Sequence, residues 1–356
     1  MNRTLRVLNV AETAKGGIAS YLNILEHQRE ALNCEFSYLI PEAHKAQVMS
    51  DRVIAHECAR GLAGTLSLAI KLVWAVRQTR PDVIFAHSTF AGISLCLAYP
   101  FLGKHVKTLY CPHGWASFRD SSARVKKVIQ FVERGMSFIP RRTVNISHYE
   151  HRKTRELGFS NKCTLIENTV LPATSADVLS CFDKSKINVL FVGRFDRQKG
   201  FDILLDAIRM INKRPNNLCF HLVGDSVLAG EPPKFVFSGN VFYHGWIGAQ
   251  DIDSYYLSAD FLVMPSRWEG FGLCALEAFR NGLPVIASNR GALPDVVVSD
   301  YNGLVFDGTA NGLYAVIQTL DKCHKTLYAD NALKAYNEKH NVIRFIEQYV
   351  KLFRSL

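Results

Sequence analysis

Arg194 and Lys199 lie five residues apart, and Glu269 and Glu277 lie eight apart. Glycines bracket them: Gly193 and Gly200 enclose the cations, and Gly270 and Gly272 follow the first glutamate. An arginine fork and a lysine point charge suit a diphosphate, whereas carboxylates accept hydrogen bonds from hydroxyl groups. The four together fit a ligand with phosphate at one end and hydroxyls along the rest. Two glutamates at this spacing, taken alone, are more often solvated residues beside a helix start, so the case rests on what surrounds them.

Phe261 to Met264 is an apolar run that ends at Pro265, the pattern of a buried strand. The tight loop Glu269-Gly270-Phe271-Gly272 follows. A helical run from Leu273 to Asn281 comes next, stopped by Gly282 and Pro284, and then a strand from Val285 to Ala287. Strand, glycine loop and helix N-terminus leave backbone N–H groups at the C-terminal edge of a parallel sheet, where α/β proteins bind anions. Arg194 and Lys199 follow a second strand-like run, Asn188 to Val192, and so reach over the same kind of edge. A nucleotide sugar carries a diphosphate for the amides and cations, and ribose and sugar hydroxyls for the acids. Burying either glutamate without a ligand would cost stability, so both are expected to look toward a cleft.

His113, in Cys111-Pro112-His113-Gly114-Trp115, follows the run Val106–Cys111. An imidazole there can hydrogen-bond a sugar hydroxyl or a developing charge; the plainer alternative is a loop histidine that fixes the turn. Gly16-Gly17, after the run Leu5–Val10, gives backbone that can approach a phosphate or an acceptor, or simply make the turn; Gly17 is kept as a donor-site candidate. His87, His148, His221 and His244 make no better case than satisfied structural or surface residues. Neither GxGxxG nor a Walker A is present, which counts against a dinucleotide dehydrogenase and a P-loop NTPase.

P-S-R-W-E-G-F-G-L-C-A-L-E-A-F-R-N-G-L-P-V-I-A-S, from Pro265 to Ser288, resembles the signature of family-4 glycosyltransferases of the GT-B fold. So do G-R-F-D-R-Q-K-G at Gly193–Gly200 and H-G-W-I at His244–Ile247. The resemblance covers the C-terminal half closely and the N-terminal half loosely. It implies an α/β protein of two Rossmann-like domains facing each other across a cleft, with a C-terminal helix crossing back to the first. It also implies that Arg194 and Lys199 bind the pyrophosphate and stabilise the charge that grows on the departing nucleoside diphosphate. Glu277 would accept the ribose hydroxyls, and Glu269 would sit by the transferred sugar. The amides of Phe271, Gly272 and Leu273, in the loop with Gly270, would lie against sugar hydroxyls and phosphate. His113 matches a histidine after a strand in the family's first domain. Transfer with retention is implied too; the residues identify no carboxylate nucleophile, so front-face transfer helped by the departing phosphate is the more consistent picture. The chain departs from the family at Leu222-Val223-Gly224-Asp225-Ser226, at Glu167-Asn168-Thr169-Val170 and at Gly291-Ala292-Leu293-Pro294-Asp295. Asp251-Ile252-Asp253 is a D-x-D, which binds a divalent cation in a different glycosyltransferase fold. Here it opens a helix, so it reads as a cap, and no essential metal and no cofactor beyond the donor, a UDP- or GDP-sugar, is expected.

Length sets two domains as the prior for 356 residues. A hydrophobic fraction of 48% and a charged fraction of 21% describe an ordinary folded protein. The longest apolar runs, Gly61–Val76 and Phe90–Leu102, are broken by Lys71 and Pro100 and are too short to span a bilayer. No secretory signal is read at the N-terminus, and nine scattered cysteines without a CxxC pair suggest neither zinc nor a disulfide framework. The cytoplasm is the expected compartment, with the inner membrane face as a candidate peripheral site. The net charge of +10 is uneven: Arg119–Glu156 holds ten basic residues against four acids, or +6. Such a segment attracts polyanions or anionic lipid, or serves as a solubilising surface. No nucleic-acid motif accompanies it, so nucleic acid is not expected.

Alternating strand and helix patterns place a first, acceptor-binding domain over residues 1–172 and a second, donor-binding domain over 187–335. Strands are expected at Glu35–Ile40, Asp82–His87, Thr143–Ile146 and Cys163–Glu167, and helices at Thr65–Thr79, Ala123–Phe138 and His148–Leu157. Leu171–Lys186 reads as a linker, and residues 341–356 as the helix that packs back on the first domain. The functional expectation is a hexosyltransferase acting on a saccharide acceptor, lipid-linked, in surface polysaccharide biosynthesis. Its rivals are a non-catalytic nucleotide-sugar-binding protein of the same fold, a basic nucleic-acid-binding protein, and an epimerase or hydrolase on this scaffold.

Overall fold

The computed structural model describes residues 3–57, 61–173, 177–179, 181–226 and 239–356. Two units result: Met1–Val170 with Val342–Leu356, and Leu171–Asn341.

The first unit is built on a seven-stranded sheet. Its strands are β1 (Leu5–Ala11), β2 (Cys34–Pro41), β3 (Val53–His56), β4 (Val83–His87), β5 (Lys107–Cys111), β6 (Arg142–Asn145) and β7 (Cys163–Leu165). They stand in the order β3-β2-β1-β4-β5-β6-β7, every pair parallel. The helices of this half are α1 (Gly17–His27), α2 (Leu62–Thr79), α3 (Thr89–Ala98), α4 (Ala123–Met136) and α5 (His148–Glu156). The central strands are covered on both faces, hence their continuous apolar sequences. Leu8, Val10, Ile84 and Ala86 pack against Leu68 and Leu72 of α2 and Leu95 of α3.

The second unit has a six-stranded parallel sheet. Its strands are β8 (Ile187–Val192), β9 (Leu218–Val223), β10 (Val241–Gly245), β11 (Phe261–Met264), β12 (Val285–Ser288) and β13 (Gly303–Phe306), in the order β10-β9-β8-β11-β12-β13. Helices α6 (Phe201–Ile211), α7 (Ile252–Ser258), α8 (Leu273–Arg280), α9 (Leu293–Val296), α10 (Ala310–Gln318) and α11 (Lys322–Lys339) connect and cover it. Phe191, Phe220 and Phe261 are fully buried here; each contributes about 1.5–3 kcal/mol by leaving water.

The last helix, α12 (Val342–Arg354), belongs to the first unit. Phe345, Tyr349, Leu352 and Phe353 form its buried stripe, at the i, i+4, i+7, i+8 spacing of an amphipathic helix. Tyr21 of α1 meets the rings of Phe345 and Tyr349 edge-on at 5.7 and 6.3 Å, and the two tyrosine hydroxyls are hydrogen-bonded.

Both sheets reverse their strand order once, between β1 and β4 and between β8 and β11. At such a point the connections leave in opposite directions and open a crevice beyond the strands' C-terminal ends. Among the elements not anticipated, β3 is only four residues long, α3 (TFAGISLCLA) is so uniformly apolar that no helical period shows, and α9, α10 and α11 lie in a stretch where no helix was expected. Helix α2 begins at Leu62 rather than Thr65, and α4 ends at Met136 rather than Phe138. Of the expected linker, residues 174–176 and 180 lie outside the described ones, as does Cys58. Phe182, within that stretch, is buried and stacks on His221 at 3.6 Å, so this part is packed onto the second sheet.

Candidate functional site

The switch point of the second sheet gathers most of the charged candidates. Gly193 follows β8, and the turn to α6 carries Arg194 and Lys199. Gly200 has φ +66°, and a Cβ there would lie 1.9 Å from the carbonyl oxygen of Pro265, so only glycine lets this turn settle on the end of β11. That close approach brings Lys199 Nζ to 2.6 Å from Glu269 Oε1, which also accepts from Ser266 Oγ at 3.0 Å. Burial alone would lower the Lys199 ammonium, but the adjacent Glu269 carboxylate more than offsets this and holds it above its ordinary value.

Arg194 is half exposed; its Nη2 donates to Gln198 Oε1 at 2.9 Å and lies 3.1 Å from Asp196 Oδ2. The partners lie within its own turn, so they set the fork's direction while leaving it at the surface. Gly270 and Phe271 complete the loop, with Phe271 buried. Gly272, at φ +100°, ends the loop in a left-handed conformation, and no side chain caps the helix that begins at Leu273. The N-terminus of α8 is therefore not closed by a cap. Glu277, one turn further along, accepts from the buried Tyr256 hydroxyl at 2.7 Å. Cys274 lies among Glu277, Lys199 and Glu269 and feels the charge of all three, while burial pushes its thiol up to about 12.

The switch point of the first sheet holds a different cluster. Asn9 of β1 and His87, the last residue of β4, are fully buried neighbours across the reversal. His87 Nε2 lies 3.0 Å from Asn9 Oδ1, and His87 Nδ1 lies 2.9 Å from His113 Nε2. With the asparagine oxygen as acceptor, His87 carries its proton on Nε2, and its bare Nδ1 accepts a hydrogen bond from His113 Nε2–H. Nδ1 of His113 is then left as an acceptor. Desolvation pushes His113 down to about 3, and desolvation followed by the neighbouring His113 holds His87 well below the ordinary histidine value. Both rings are neutral at pH 7.

The turn that carries His113 is firmly held. His113 has φ +52°, its ring meets Tyr21 edge-on at 4.5 Å, and the buried Trp115 donates to Asn145 Oδ1 at 2.9 Å. Beneath it lies Glu150, fully buried, with the backbone N–H groups of Ile146, Trp115 and Gly114 directed at it. Burial raises its carboxyl to about 8, helped by the nearby Glu133. Gly17, the first residue of α1, is exposed in the same unit. The structure thus assembles Lys199, Glu269, Gly270, Phe271, Gly272, Leu273 and Glu277 around one loop, with Arg194 beside it. His113 and Gly17 belong to the other unit.

Sequence reasoning missed Asn9, His87, Glu150, Tyr256 and Ser266. It had set His87 aside; its place at the end of a strand beside the reversal was the available signal. The D-x-D is corrected in part. Asp251 occupies the N-cap position but its side chain makes no capping hydrogen bond. Asp253 is fully buried, bonded at 2.7 Å to both Arg280 and Asn281, so it ties α7 to α8. Among the described residues no group of three or more His, Cys, Asp or Glu side chains could hold a metal ion. A shallow groove of about 640 Å³, lined by Glu26, Arg29, Glu35 and Arg52 among others, shares no residue with either cluster. Arg29 pairs with Glu26 there, and Arg52 with Glu35.

Two Rossmann-like units with anion-suited and hydroxyl-suited clusters at their switch points define a class, and comparison with known proteins supplies the family. Residues 16–173 match the model described as Glycosyltransferase Family 4, and residues 186–322 match Glycosyl transferases group 1. The chain belongs to this glycosyltransferase family and is of the GT-B type. An uncharacterized 41.2 kDa protein in the cps region of Klebsiella pneumoniae is 30% identical over 99% of this chain and 100% of its own length. Sucrose-phosphate synthase from Thermosynechococcus elongatus shares the fold with TM-score 0.82 at 20% identity, over 99% of this chain and 98% of that one. Anabaena Alr3699/HepE, solved in complex with UDP and glucose, follows at TM-score 0.80 and 19% identity, over 99% and 100%.

Proposed function

We propose that the chain is a retaining hexosyltransferase. It moves a hexose from a UDP- or GDP-sugar to a saccharide acceptor, lipid-linked, in the assembly of a surface polysaccharide. The observation that carries this reading is the Lys199–Glu269 pair at 2.6 Å beside the uncapped start of α8. Amides of Gly272 and Leu273 take up phosphate oxygens, and Lys199 and Arg194 stabilise the negative charge that grows on the departing diphosphate. Glu269 keeps Lys199 charged and in place, and the same carboxylate is assigned to hydroxyls of the transferred sugar. Glu277 Oε2 is engaged by Tyr256, so Oε1 is the oxygen assigned to the ribose hydroxyls. His113 Nδ1 accepts a hydrogen bond from a sugar hydroxyl. No carboxylate is assigned as nucleophile, in keeping with front-face transfer. The relative in a Klebsiella cps region and the Anabaena protein's complex with UDP and glucose support the donor and pathway class.

The deciding experiment is a thermal-shift screen of UDP- and GDP-sugars. A ligand at a hundred times its dissociation constant adds about 2.7 kcal/mol to the folded state. Lys199→Ala should lose that shift. If no nucleotide sugar moves the transition, the donor assignment fails; if NMR of the product shows an inverted anomeric centre, the retaining assignment fails.

A further inference from the structure

Three neighbouring helices of the first unit turn apolar side chains outward. The steps β3 to β4, β4 to β5 and β5 to β6 cross the sheet in one direction, so their right-handed crossovers lay α2, α3 and α4 on the same face. Helix α3 packs against both of its neighbours. Helix α2 buries Leu68, Leu72 and Ala75 toward the sheet, while Leu66, Ile70 and Trp74, four residues apart, line its outer side. On α4, Val128 is 65% exposed and Phe131 81%. Scattered single apolar residues on a surface mean little, but rows of them on adjacent helices mark a surface that meets something.

The charge that these three helices expose has one sign. The three helices carry Lys71, Arg77, Arg124, Lys126, Lys127 and Arg134, against a single acid, Glu133. Glu133 is fully buried and accepts from the amides of Ala116 and Ser117, so it offers nothing to the outside. Lys71 stretches over the Trp74 ring, Nζ 4.5 Å from its centre. An apolar surface bordered by cations alone has two candidate occupants. A second copy of the chain would set the patch against itself, cation facing cation with no exposed helix carboxylate in answer. An anionic bilayer answers both features, with acyl chains for Ile70, Val128 and Phe131 and lipid phosphate for the lysines and arginines. No helix among the described residues is long and apolar enough to cross a membrane, so the contact is a lateral one.

We propose that the α2–α3–α4 face docks the first unit on an anionic membrane surface. The proposal is independent of the donor assignment, because vesicle binding needs no nucleotide sugar.

Flotation of the full chain with phosphatidylglycerol–phosphatidylcholine vesicles tests it. The chain co-floats at low salt, is released at high salt, and binds pure phosphatidylcholine far less. The double variant Ile70→Asp with Phe131→Asp lowers the bound fraction on the order of ten-fold. Lys126→Glu with Lys127→Glu also weakens binding and makes it less salt-dependent. Circular dichroism of each variant matches the parent, since the altered side chains are at the surface. Absence of flotation on anionic vesicles at low salt would overturn the proposal, as would unchanged flotation of both variants. A dimer seen by light scattering and abolished by Phe131→Asp would assign the face to a second copy instead.

Discussion

Each unit carries an asparagine–histidine–histidine chain, and the two differ in where on the sheet they stand. In the first, Asn9, His87 and His113 climb to the C-terminal ends of β4 and β5 at the strand-order reversal. In the second, Asn188 Oδ1 lies 3.1 Å from His221 Nε2, and His221 Nδ1 lies 3.1 Å from His244 Nε2. That chain starts at the second residue of β8, runs outward through β9 to the edge strand β10, and is walled by Phe182 and Tyr255. Desolvation and His244 together push His221 down to about 4. The chemistry is the same, with neutral rings linked by hydrogen bonds. Only the first chain ends where α/β proteins place ligands. Residue type alone thus cannot separate a working histidine from a structural one; the place of its strand relative to the reversal does.

Substitution tests that contrast directly, beginning with the largest effect. His113→Ala should lower kcat/KM on the order of 10²–10⁴-fold, whereas His244→Ala should stay close to the parent. Equal losses in both would erase the distinction. Next comes the carboxyl beneath the His113 turn. Glu150 has its folded value raised from 4.5 to about 8, so the folded state holds a proton that the unfolded chain has released. Its contribution is therefore fully favourable below pH 4.5 and is lost as pH rises toward 8, at up to about 1.36 kcal/mol per pH unit. In urea titrations, Glu150→Gln should gain stability relative to the parent across that window; a constant difference would mean that the carboxyl is ionised throughout.

A smaller effect is expected at the structural pair. His221→Ala removes the ring stacked on Phe182 and strands Asn188, which should cost about 2 kcal/mol, read as a lower Tm with turnover per folded molecule unchanged. The smallest expected effect is a flat line. With His113 pushed down to about 3, the pH profile of kcat/KM should show no histidine inflection near 6.5. An acid limb there that disappears in His113→Asn would show that the ring titrates in solvent. The depressed histidines have the opposite linkage sign to Glu150: the unfolded chain takes up protons first, so their contribution is present above pH 6.5 and is lost on acidification.

Much of this was legible beforehand, for identifiable reasons. Buried parallel strands are apolar along their whole length, so Asn188–Val192 and Phe261–Met264 stood out. Gly200 and Gly272 mark tight turns, and each ends the loop between a strand and the helix after it. What escaped depended on contacts between distant residues. Nothing local at Lys199 discloses that its partner is Glu269, seventy residues on. Asn9, at 0% exposure, lies inside an apolar run and reads as an interruption until His87 is brought beside it. Glu150 sits on an otherwise polar helix, so its burial leaves no periodic trace. The D-x-D misled in part because Asp253 pairs with Arg280, a residue of the next helix.

The assignment of α12 to the first unit bears on how the protein is made. Residues 1–170 leave the ribosome before residues 171–341, yet Tyr349, which meets Tyr21, and the stripe of Phe345, Leu352 and Phe353 that completes their core are synthesised only after both. Residues 171–341 meanwhile form their unit from one continuous segment. The half that starts first is thus finished second, and a stop codon placed before Val342 would leave it open while sparing its neighbour.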